Sequence, residues 1–582
     1  MKKKIIKKQQ KLLRIISPLS DRERRNIVNN FKALRARVDW TNEESRRKFL
    51  LDIHPKVIKT RWAGQYPELR GIFEPREIDY ILWDSVNCHY ESEHKYLGLQ
   101  IIEFVALCGY KDEARTDGGW PPSSRRTTAL HRAFESNTYH IAELLFKIYA
   151  DRDVNYADET GLTHLHVACR FGCDEVVDKF LRHGQDPNLV WPATGDSLLH
   201  LAMRDQHTAL VRKLLKRGAD THRANDEYKL PLHVACEKTA LHLDLPIGDW
   251  CKLLWIGSGN KVAANLDARD KWGNTPLHLA CFGENAKMIK LLMENGADPN
   301  SANEEGKTPL HVLCQRNHGR FDDVSTAAQL FNLAHQAKKV VLVDYLDNRG
   351  RTPLQLAVAN FWPEMVVQLL DRGADLHRFS FPQVADFLER LKVYRDGWKR
   401  FALRLAWGLL SCVERLENAG WELGLTEVER IMRLFAEQGL FAESASLDER
   451  WYASWADTAD KIGMAPKLSL LEVTRLRADE AEDWLTLDHF SRYLSPYRKI
   501  HLPEEADLTC ARHLCEKMSR KFFRRWAREI QPYELVDDLM NKDLYDICCR
   551  MKWMANNVVK RKKKKWGRGV RNGLRSKKAI RL

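Results

Sequence analysis

A four-letter phrase, written TPLH in its most regular form, recurs along the middle of the chain. Aligned on its last letter, the phrase ends at His131, His166, His200, His233, His278, His311 and Gln355. The spacings between these positions are 35, 34, 33, 45, 33 and 44 residues. A second phrase, of the type GADPN, runs in step with the first and begins at Gly184, Gly218, Gly296 and Gly373. Such periods indicate a chain built by stacking one small structural unit many times.

Each unit is predicted to contain two short helices, as the stretch after Asn274 shows. Thr275 can cap a helix, and Pro276 fits the first turn, where its missing N–H costs nothing. The following phrase, MIKLLMENG, is predicted to form a second helix that stops at Gly296, a residue suited to the left-handed conformation that ends helices. The side chains predicted to face inward in this unit are Leu277, Ala280, Ile289, Leu291 and Leu292. The two long spacings predict insertions near Leu241–Asp249 and Arg320–Ser325.

These phrases resemble the ankyrin repeat, whose period is about 33 residues and whose signature is T-P-L-H-x-A. The resemblance implies an all-α fold: a solenoid of about seven helix-turn-helix units with hairpin loops, flanked by a helical N-terminal cap and a C-terminal helical domain. GLQIIEFVALCGYKDE, just before the repeats, resembles the second helix of a degenerate capping unit. The predicted domains are a basic tail at 1–20, a helical region at 21–124, the repeats at 125–380, a helical domain at 381–555 with an F-box-like segment at 530–550, and a disordered basic tail at 556–582.

The C-terminal region carries a second resemblance. The segment EIQPYELVDDLMNKDLYDICC is similar to the F-box-like PRANC region that ends poxvirus-type ankyrin proteins. The phrases KLSLLEVTRLRADEAEDWLTL and LCEKMSRKFFRRWA resemble ankyrin proteins of parasitoid wasps and related insects. The resemblance implies docking to the adaptor of a cullin-type ubiquitin ligase, through Pro532, Glu534, Leu535, Leu539, Asp543 and Leu544. A plain helical segment that begins with Pro is the alternative.

The formal charge of +15 is concentrated in the two ends of the chain. Residues 1–14 hold seven Lys and Arg, and residues 560–582 hold twelve, with no acidic residue in either segment. The rest of the chain therefore carries about −4, which argues against a general affinity of the folded body for nucleic acid. The run Lys560, Arg561, Lys562, Lys563, Lys564 and Lys565 predicts a signal read by a nuclear import receptor. Phosphate contacts to nucleic acid and a merely solvated tail are the alternatives; the N-terminal tail could also lie on an acidic membrane surface.

The compartment follows from the cysteines and from the hydropathy. The thirteen cysteines include no C-x-x-C pair, and the first residues lack the apolar core of a signal peptide. We find no apolar run of the ~18 residues that a membrane helix needs. We therefore expect a reducing compartment, the nucleus or the cytoplasm.

Catalysis and metal binding are not expected. The histidines of TPLH recur at one position of the repeat, which predicts a structural role. The resemblance to ankyrin repeats implies that they form hydrogen bonds to neighbouring loops. Cys169, Cys236, Cys281 and Cys314 share another position and are predicted to be buried helix residues. No nucleophile–base arrangement or phosphate loop rises above the repeat pattern. The sequence predicts no enzyme, no metal and no cofactor.

The resemblance to ankyrin proteins instead implies a protein that binds another protein through its loop tips and the concave helix face. The tips lie between the GAD-type and TPLH-type phrases, and the predicted contact residues are Asp158, Glu159, Trp191, Asp226, Tyr228, Lys271, Trp272, Glu304, Glu305, Asn348 and Arg349. The aromatic residues and Arg349 are of the types that most often dominate interface energies. The alternative is that some of the aromatics pack between neighbouring tips.

Overall fold

A computed structural model of the chain describes most of the repeats and their flanks. The described residues are 20–58, 62, 64–88, 96–113, 125–150, 154–237, 266–315, 325–394, 401–438, 440, 449–465, 468–476, 480–481, 484–494 and 504–530. Both predicted tails, and most of the two predicted insertions, lie outside these residues. Contacts divide the chain into two compact units, one ending at Leu279 and one beginning at Ala280.

The first unit consists of helices. In chain order they are α1 Asp21–Arg35, α2 Glu43–Ile53, α3 Pro75–Cys88, α4 Leu97–Leu107, α5 Ala129–Glu135, α6 Tyr139–Ile148, α7 His164–Arg170, α8 Asp174–Arg182, α9 Leu198–Arg204, α10 Thr208–Lys216, α11 Pro231–Glu237 and the start of α12 Pro276–Phe282. A π-helical turn, His54–Ile58, follows α2, and a 3-10 turn, Leu69–Gly71, precedes α3.

The first four helices form a cap with an aromatic core. The ring of Phe31 packs edge-on against Phe73, with ring centroids 4.9 Å apart, and also contacts Phe49 and Phe104. The helix α4 packs against α6, the second helix of the first full repeat. Repeat units bury their faces only by stacking, so a helix in this place covers the end of the array.

A reciprocal cap begins the first helices that follow Thr128, Thr163, Ser197 and Thr352. Leu230 has no side-chain oxygen, and there only the bond from its N–H to Nδ1 of His233 is made. The side chain of Thr163 accepts the backbone N–H of His166, and Nδ1 of His166 accepts the backbone N–H of Thr163. A Glu or Gln usually completes this arrangement, which is called a capping box. In the last repeat Gln355 does so with Thr352. The TPLH phrase therefore encodes a helix start.

The second unit continues with helices and one pair of short strands. Its elements are the end of α12, then α13 Ala286–Glu294, α14 Pro309–Gln315, α15 Ser325–Gln336, α16 Pro353–Ala359, α17 Pro363–Asp371, α18 Val384–Tyr394, α19 Phe401–Asn418, α20 Leu425–Glu437, α21 Glu449–Asp460, β1 Gly463–Ala465, β2 Leu468–Ser469, α22 Leu470–Arg475, α23 Leu487–Leu494 and α24 Glu504–Ile530. The strands pair antiparallel. The sequence analysis did not predict this pair.

The core of the second unit follows the predicted pattern with one correction. Ala280, Ile289 and Leu292 are fully buried, as is Leu277 at the end of the first unit. Leu291, which we predicted on the same face, is only half-buried, and Met288 and Met293 are buried instead. A helix advances 3.6 residues per turn, so residues 288, 289, 292 and 293 form one stripe and 291 lies at its edge. Beyond the repeats, α19 packs against α24, and the indole Nε1 of Trp407 donates to the carbonyl of Leu487 at 3.0 Å.

Candidate partner-binding surface

The hairpin loops that precede the first helices are here called fingers, and five of them share one internal hydrogen-bond pattern. In the finger of Asp270, its Oδ1 accepts the backbone N–H groups of Trp272 at 2.9 Å and Asn274 at 2.8 Å. The same two bonds, to the residues two and four positions later, are made at Asp158, Asn225, Asn303 and Asp347. Asp and Asn stabilise turns in this way. Each of these five fingers is therefore held in shape by one polar side chain.

Neighbouring fingers are joined by backbone hydrogen bonds. In the first unit the N–H of Asp226 donates to Thr194 at 3.1 Å, and the N–H of Lys271 donates to Glu227 at 2.8 Å. In the second unit the N–H of Asn348 donates to Glu305 at 3.0 Å. Gly195 has φ +70°, and a Cβ there would lie 2.6 Å from the N of Asp226. A larger residue at Gly195 would push the next finger away.

The TPLH histidines connect the fingers to the helices. Nδ1 of His200 accepts the N–H of Ser197 at 3.1 Å, so the neutral ring carries its proton on Nε2, which donates to the carbonyl of Lys229 in the next finger at 2.9 Å. His131, His233 and His311 make the corresponding bonds to Leu162, Ala268 and Arg351. The prediction that the TPLH histidines bond neighbouring loops is confirmed for His131, His200, His233 and His311.

Burial keeps these histidines neutral. It lowers the pKa of His166, His233 and His311 to about 4, against the pull of backbone carbonyls and nearby carboxylates. Burial also lowers the pKa of His131 and of His200. An uncharged ring inside the array fits a structural role.

The predicted cysteines are equally inert. Cys169, Cys236, Cys281 and Cys314 are fully buried, as expected. Burial raises the pKa of the Cys169, Cys281 and Cys314 thiols well above the ordinary value, which suppresses the reactive thiolate. Among the described residues, no group of three or more His, Cys, Asp or Glu side chains is arranged to hold a metal ion. In the same part of the chain no helix is long and apolar enough to span a membrane.

The structure places the predicted contact residues on the fingers, with different exposures. Those that are exposed are Glu159, Asp226, Tyr228, Lys271 and Trp272 in the first unit and Glu304, Glu305, Asn348 and Arg349 in the second. Asp158 and Trp191 are half-buried. Oδ1 of Asp158 accepts two backbone N–H groups of its own finger, and Nδ2 of Asn348 donates to the carbonyl of Glu304.

Trp191 packs between fingers. Its indole Nε1 donates to Oγ1 of Thr160 at 3.0 Å, and its ring meets Phe134 edge-on, with centroids 5.4 Å apart. The guanidinium carbon of Arg170, on the first helix α7, lies 5.9 Å from the centroid of the Phe134 ring. These contacts agree with the alternative interpretation, in which some of the aromatic residues pack between neighbouring tips.

Tyr228 and Trp272, here called the aromatic tip pair, differ from Trp191 because both are exposed. Tyr228 is 65% exposed and Trp272 is 48% exposed. They follow directly after Glu227 and Lys271, the two residues whose backbones join their fingers. The Nζ of Lys229 lies 5.0 Å from the centroid of the Trp272 ring. The two exposed aromatic side chains thus lie on neighbouring fingers that a backbone hydrogen bond joins.

Lys229 also forms two ion pairs, and the sequence analysis did not select it. Its Nζ lies 2.8 Å from Glu227 and 2.5 Å from Glu237, and these hydrogen-bonded partners raise its pKa although burial opposes them. The signal was present in the sequence. Lys229 follows the position that carries Gly in the other fingers, and Glu237 ends the neighbouring first helix.

In the second unit the finger charges are partly paired. Arg349 lies 3.2 Å from Glu389 on α18, and Glu305 lies 2.5 Å from Lys307. Exposed pairs of this kind contribute little, about 0–1 kcal/mol. The predicted ligase-docking residues, Pro532 to Leu544, and the predicted import signal, Lys560 to Lys565, lie outside the described residues.

Comparison with known proteins identifies the repeats. A family model for ankyrin repeats matches residues 95–191, 165–245 and 241–325, and a model for the single ankyrin repeat matches 349–379. These matches and the helical structure confirm the prediction of an all-α ankyrin-repeat solenoid.

Several curated proteins are similar to part of this chain. Transient receptor potential cation channel subfamily A member 1 from Homo sapiens is 25% identical over 249 residues, which are 43% of this chain and 21% of that protein. Palmitoyltransferase AKR1 from Lachancea kluyveri is 34% identical over 193 residues, 33% of this chain and 25% of that protein. Nuclear factor NF-kappa-B p105 subunit from Gallus gallus is 28% identical over 314 residues, 49% of this chain and 30% of that protein. The chain spans less than a third of each of these relatives.

Proposed function

We propose that this ankyrin-repeat chain is a non-enzymatic scaffold that binds a partner protein through its fingers and the adjoining first helices. One observation carries the proposal. The polar side chains that shape the fingers accept backbone hydrogen bonds within them. The side chains at the tips, such as Glu159, Asp226 and Tyr228, instead point into solvent. A rigid frame with exposed, variable tips binds a partner without the cost of ordering loops.

The first helices extend this surface in the first unit. Four residues after the TPLH histidine stand Arg170, Arg204 and Glu237, on the successively packed helices α7, α9 and α11. Arg170 and Arg204 lie 2.8 Å from Asp205 and Asp196, and Glu237 pairs with Lys229. These pairs hold long side chains in fixed positions next to the fingers, which also lowers the entropic cost of binding.

The test compares co-purified proteins. The full chain would be purified with its partners from cells of its source, beside a finger variant carrying Glu159→Ala, Asp226→Ala and Lys271→Ala. A control variant would carry Lys179→Ala, Arg212→Ala and Lys216→Ala, on exposed positions of the second helices α8 and α10. We expect the finger variant to lose a partner that the control retains. Equal recovery with both variants would contradict the proposal.

A second role as a ubiquitin-ligase adaptor rests on the sequence order from Pro532 to Leu544 and on the resemblance to PRANC-type and insect ankyrin proteins. In this role the repeats would hold a target while the C-terminal segment docks the ligase. A chain ending at Arg528 tests it. Recovery of a cullin adaptor with the intact chain only would support this role, and its absence from both would contradict it.

Nuclear entry is proposed from the basic run Lys560 to Lys565. The test is the distribution of the tagged full chain in cells, beside a variant with these six residues changed to Ala. Equal nuclear fractions would contradict the proposal.

A further inference from the structure

Tyr228 occupies a position at which the other fingers carry glycine. The residue two places before the start of the TPLH phrase has φ +82° at Gly161, +75° at Gly273, +74° at Gly306 and +71° at Gly350. Tyr228 stands at this position with φ +55°. A side chain is disfavoured in this left-handed region because its Cβ approaches the backbone carbonyl. The finger thus carries strain that glycine would relieve.

The ring of Tyr228 does not offset this strain by packing. Phe361 in the second unit shows the opposite case: its φ is +57°, but its ring is fully buried and stacks on Phe387 at 5.4 Å. The Tyr228 side chain is 65% exposed. Strain that persists without internal compensation is typical of residues kept for recognition.

The surroundings of the aromatic tip pair define the chemistry that would cover it. The described segments 225–237 and 266–274, which contain its two fingers, hold five acids and three bases. The ammonium group of Lys229 is already shared between Glu227 and Glu237. Asp226 is exposed beside Tyr228. Two rings and an excess of negative charge favour a cationic side chain, because ammonium and guanidinium groups bind both to aromatic faces and to carboxylates.

We propose that the aromatic tip pair is the recognition site for an extended basic segment of the partner protein. A lysine or arginine of that segment packs on the rings of Tyr228 and Trp272, and its charge is met by Asp226 and Glu227. This inference rests on the proposed function and adds the chemical class of the ligand. A single-stranded nucleic acid could stack on the same rings, but its phosphates would meet the acidic fingers.

The binding test uses the full chain and two synthetic peptide probes. One is a labelled peptide of alternating Arg and Ala, and the other has Glu in place of Arg. We expect the basic probe alone to bind, measured by fluorescence anisotropy. Tyr228→Gly leaves the net charge unchanged and should weaken binding at least about tenfold. Its melting temperature should equal or exceed that of the unaltered chain, because glycine relieves the strain, so weaker binding cannot be ascribed to misfolding.

The matched control is Glu175→Gln, which removes an exposed acid from the second helix α8 of the same unit. It should bind the basic probe like the unaltered chain. The inference is overturned if the basic probe does not bind, if Tyr228→Gly binds it as tightly as the unaltered chain, or if a labelled oligothymidine binds in its place.

The double variant Tyr228→Gly, Trp272→Ala separates this inference from the proposed function. Loss of the partner in co-purification supports both. If the double variant keeps the partner and the variant of Glu159, Asp226 and Lys271 loses it, this inference falls and the proposed function stands. If neither variant loses the partner, both fall.

Discussion

Nε2 of His200 lies 2.9 Å from the carbonyl oxygen of Lys229, in the finger of the next repeat. The same finger carries Tyr228 and, through Nζ of Lys229, supports Trp272. The buried histidine of one repeat therefore positions the exposed residues of the next repeat that we propose to contact the partner. In this proposal the bond couples stability to binding, and the array supplies several ways to test the coupling.

Replacing His200 by Ala should destabilise the first unit. The change leaves the carbonyl of Lys229 and the N–H of Ser197 without their buried partner, at a cost of about 1–3 kcal/mol. Urea unfolding followed by circular dichroism measures the loss.

The chain itself suggests the control for this prediction. Gln355 occupies the equivalent position in the last repeat, where Oε1 accepts the N–H of Thr352 at 2.8 Å and Nε2 donates to Ser380 at 2.7 Å. His200→Gln should therefore keep most of the stability that His200→Ala loses. Equal losses from both variants would show that these hydrogen bonds do not carry the effect.

Acidification should destabilise the repeats below about pH 6.5. The folded pKa of His166, His233 and His311 is lowered to about 4, so between the folded and unfolded pKa values the unfolded chain binds more protons. The stabilisation is therefore fully present above the unfolded pKa and is lost as pH falls toward 4. Near pH 4 each histidine should have lowered the free energy of unfolding by about 3 kcal/mol.

The measurement is the midpoint of urea unfolding from about pH 7.5 to about pH 5. A variant with His166, His233 and His311 changed to Gln should show a smaller fall over this range, because glutamine does not titrate. A midpoint that stays constant in the unaltered chain would contradict the prediction.

Removing the polar side chain that shapes a finger should loosen the aromatic tip pair. Asp270→Ala leaves the N–H groups of Trp272 and Asn274 without their acceptor, and we expect a loss of about 1 kcal/mol with weaker partner binding. Asp270→Asn should be close to neutral, because Asn225 and Asn303 make the same bonds in their fingers. Thermal unfolding and partner recovery check both, and a neutral Asp270→Ala would be the contrary result.

The cap is predicted to tolerate no added side chain where α4 crosses α3. A Cβ on Gly98 of α4 would fall onto the carbonyl of Ser85 in α3, which is fully buried. Gly98→Ala should therefore force the helices apart and destabilise the first unit by about 1–3 kcal/mol or more. At Gly71 an added Cβ meets nothing within 4 Å, so Gly71→Ala is the matched control. Similar melting temperatures for the two variants would contradict the close crossing.

The repeat pattern predicted the fold because TPLH encodes a helix start and, in every unit but the last, a buried histidine. It also placed the predicted contact residues on the fingers. It could not separate Trp191 from Trp272, because their exposure depends on what the neighbouring finger offers: Thr160 and Phe134 for the first, and Lys229 for the second. The strained φ of Tyr228 was visible in the sequence only as a missing glycine. The β1–β2 pair gave no signal because five strand residues are too few to show an alternating pattern.

Hydroxyl-radical footprinting of the full chain, alone and with its co-purified partner, tests the central claim most directly. Tyr139 on the second helix α6 and Trp484 in the second unit are 69% and 65% exposed and serve as internal references. We predict that oxidation of Tyr228 and Trp272 falls severalfold in the complex while oxidation of Tyr139 and Trp484 does not change. Protection of the reference residues, with Tyr228 and Trp272 oxidised as in the free chain, would contradict a partner site on the fingers.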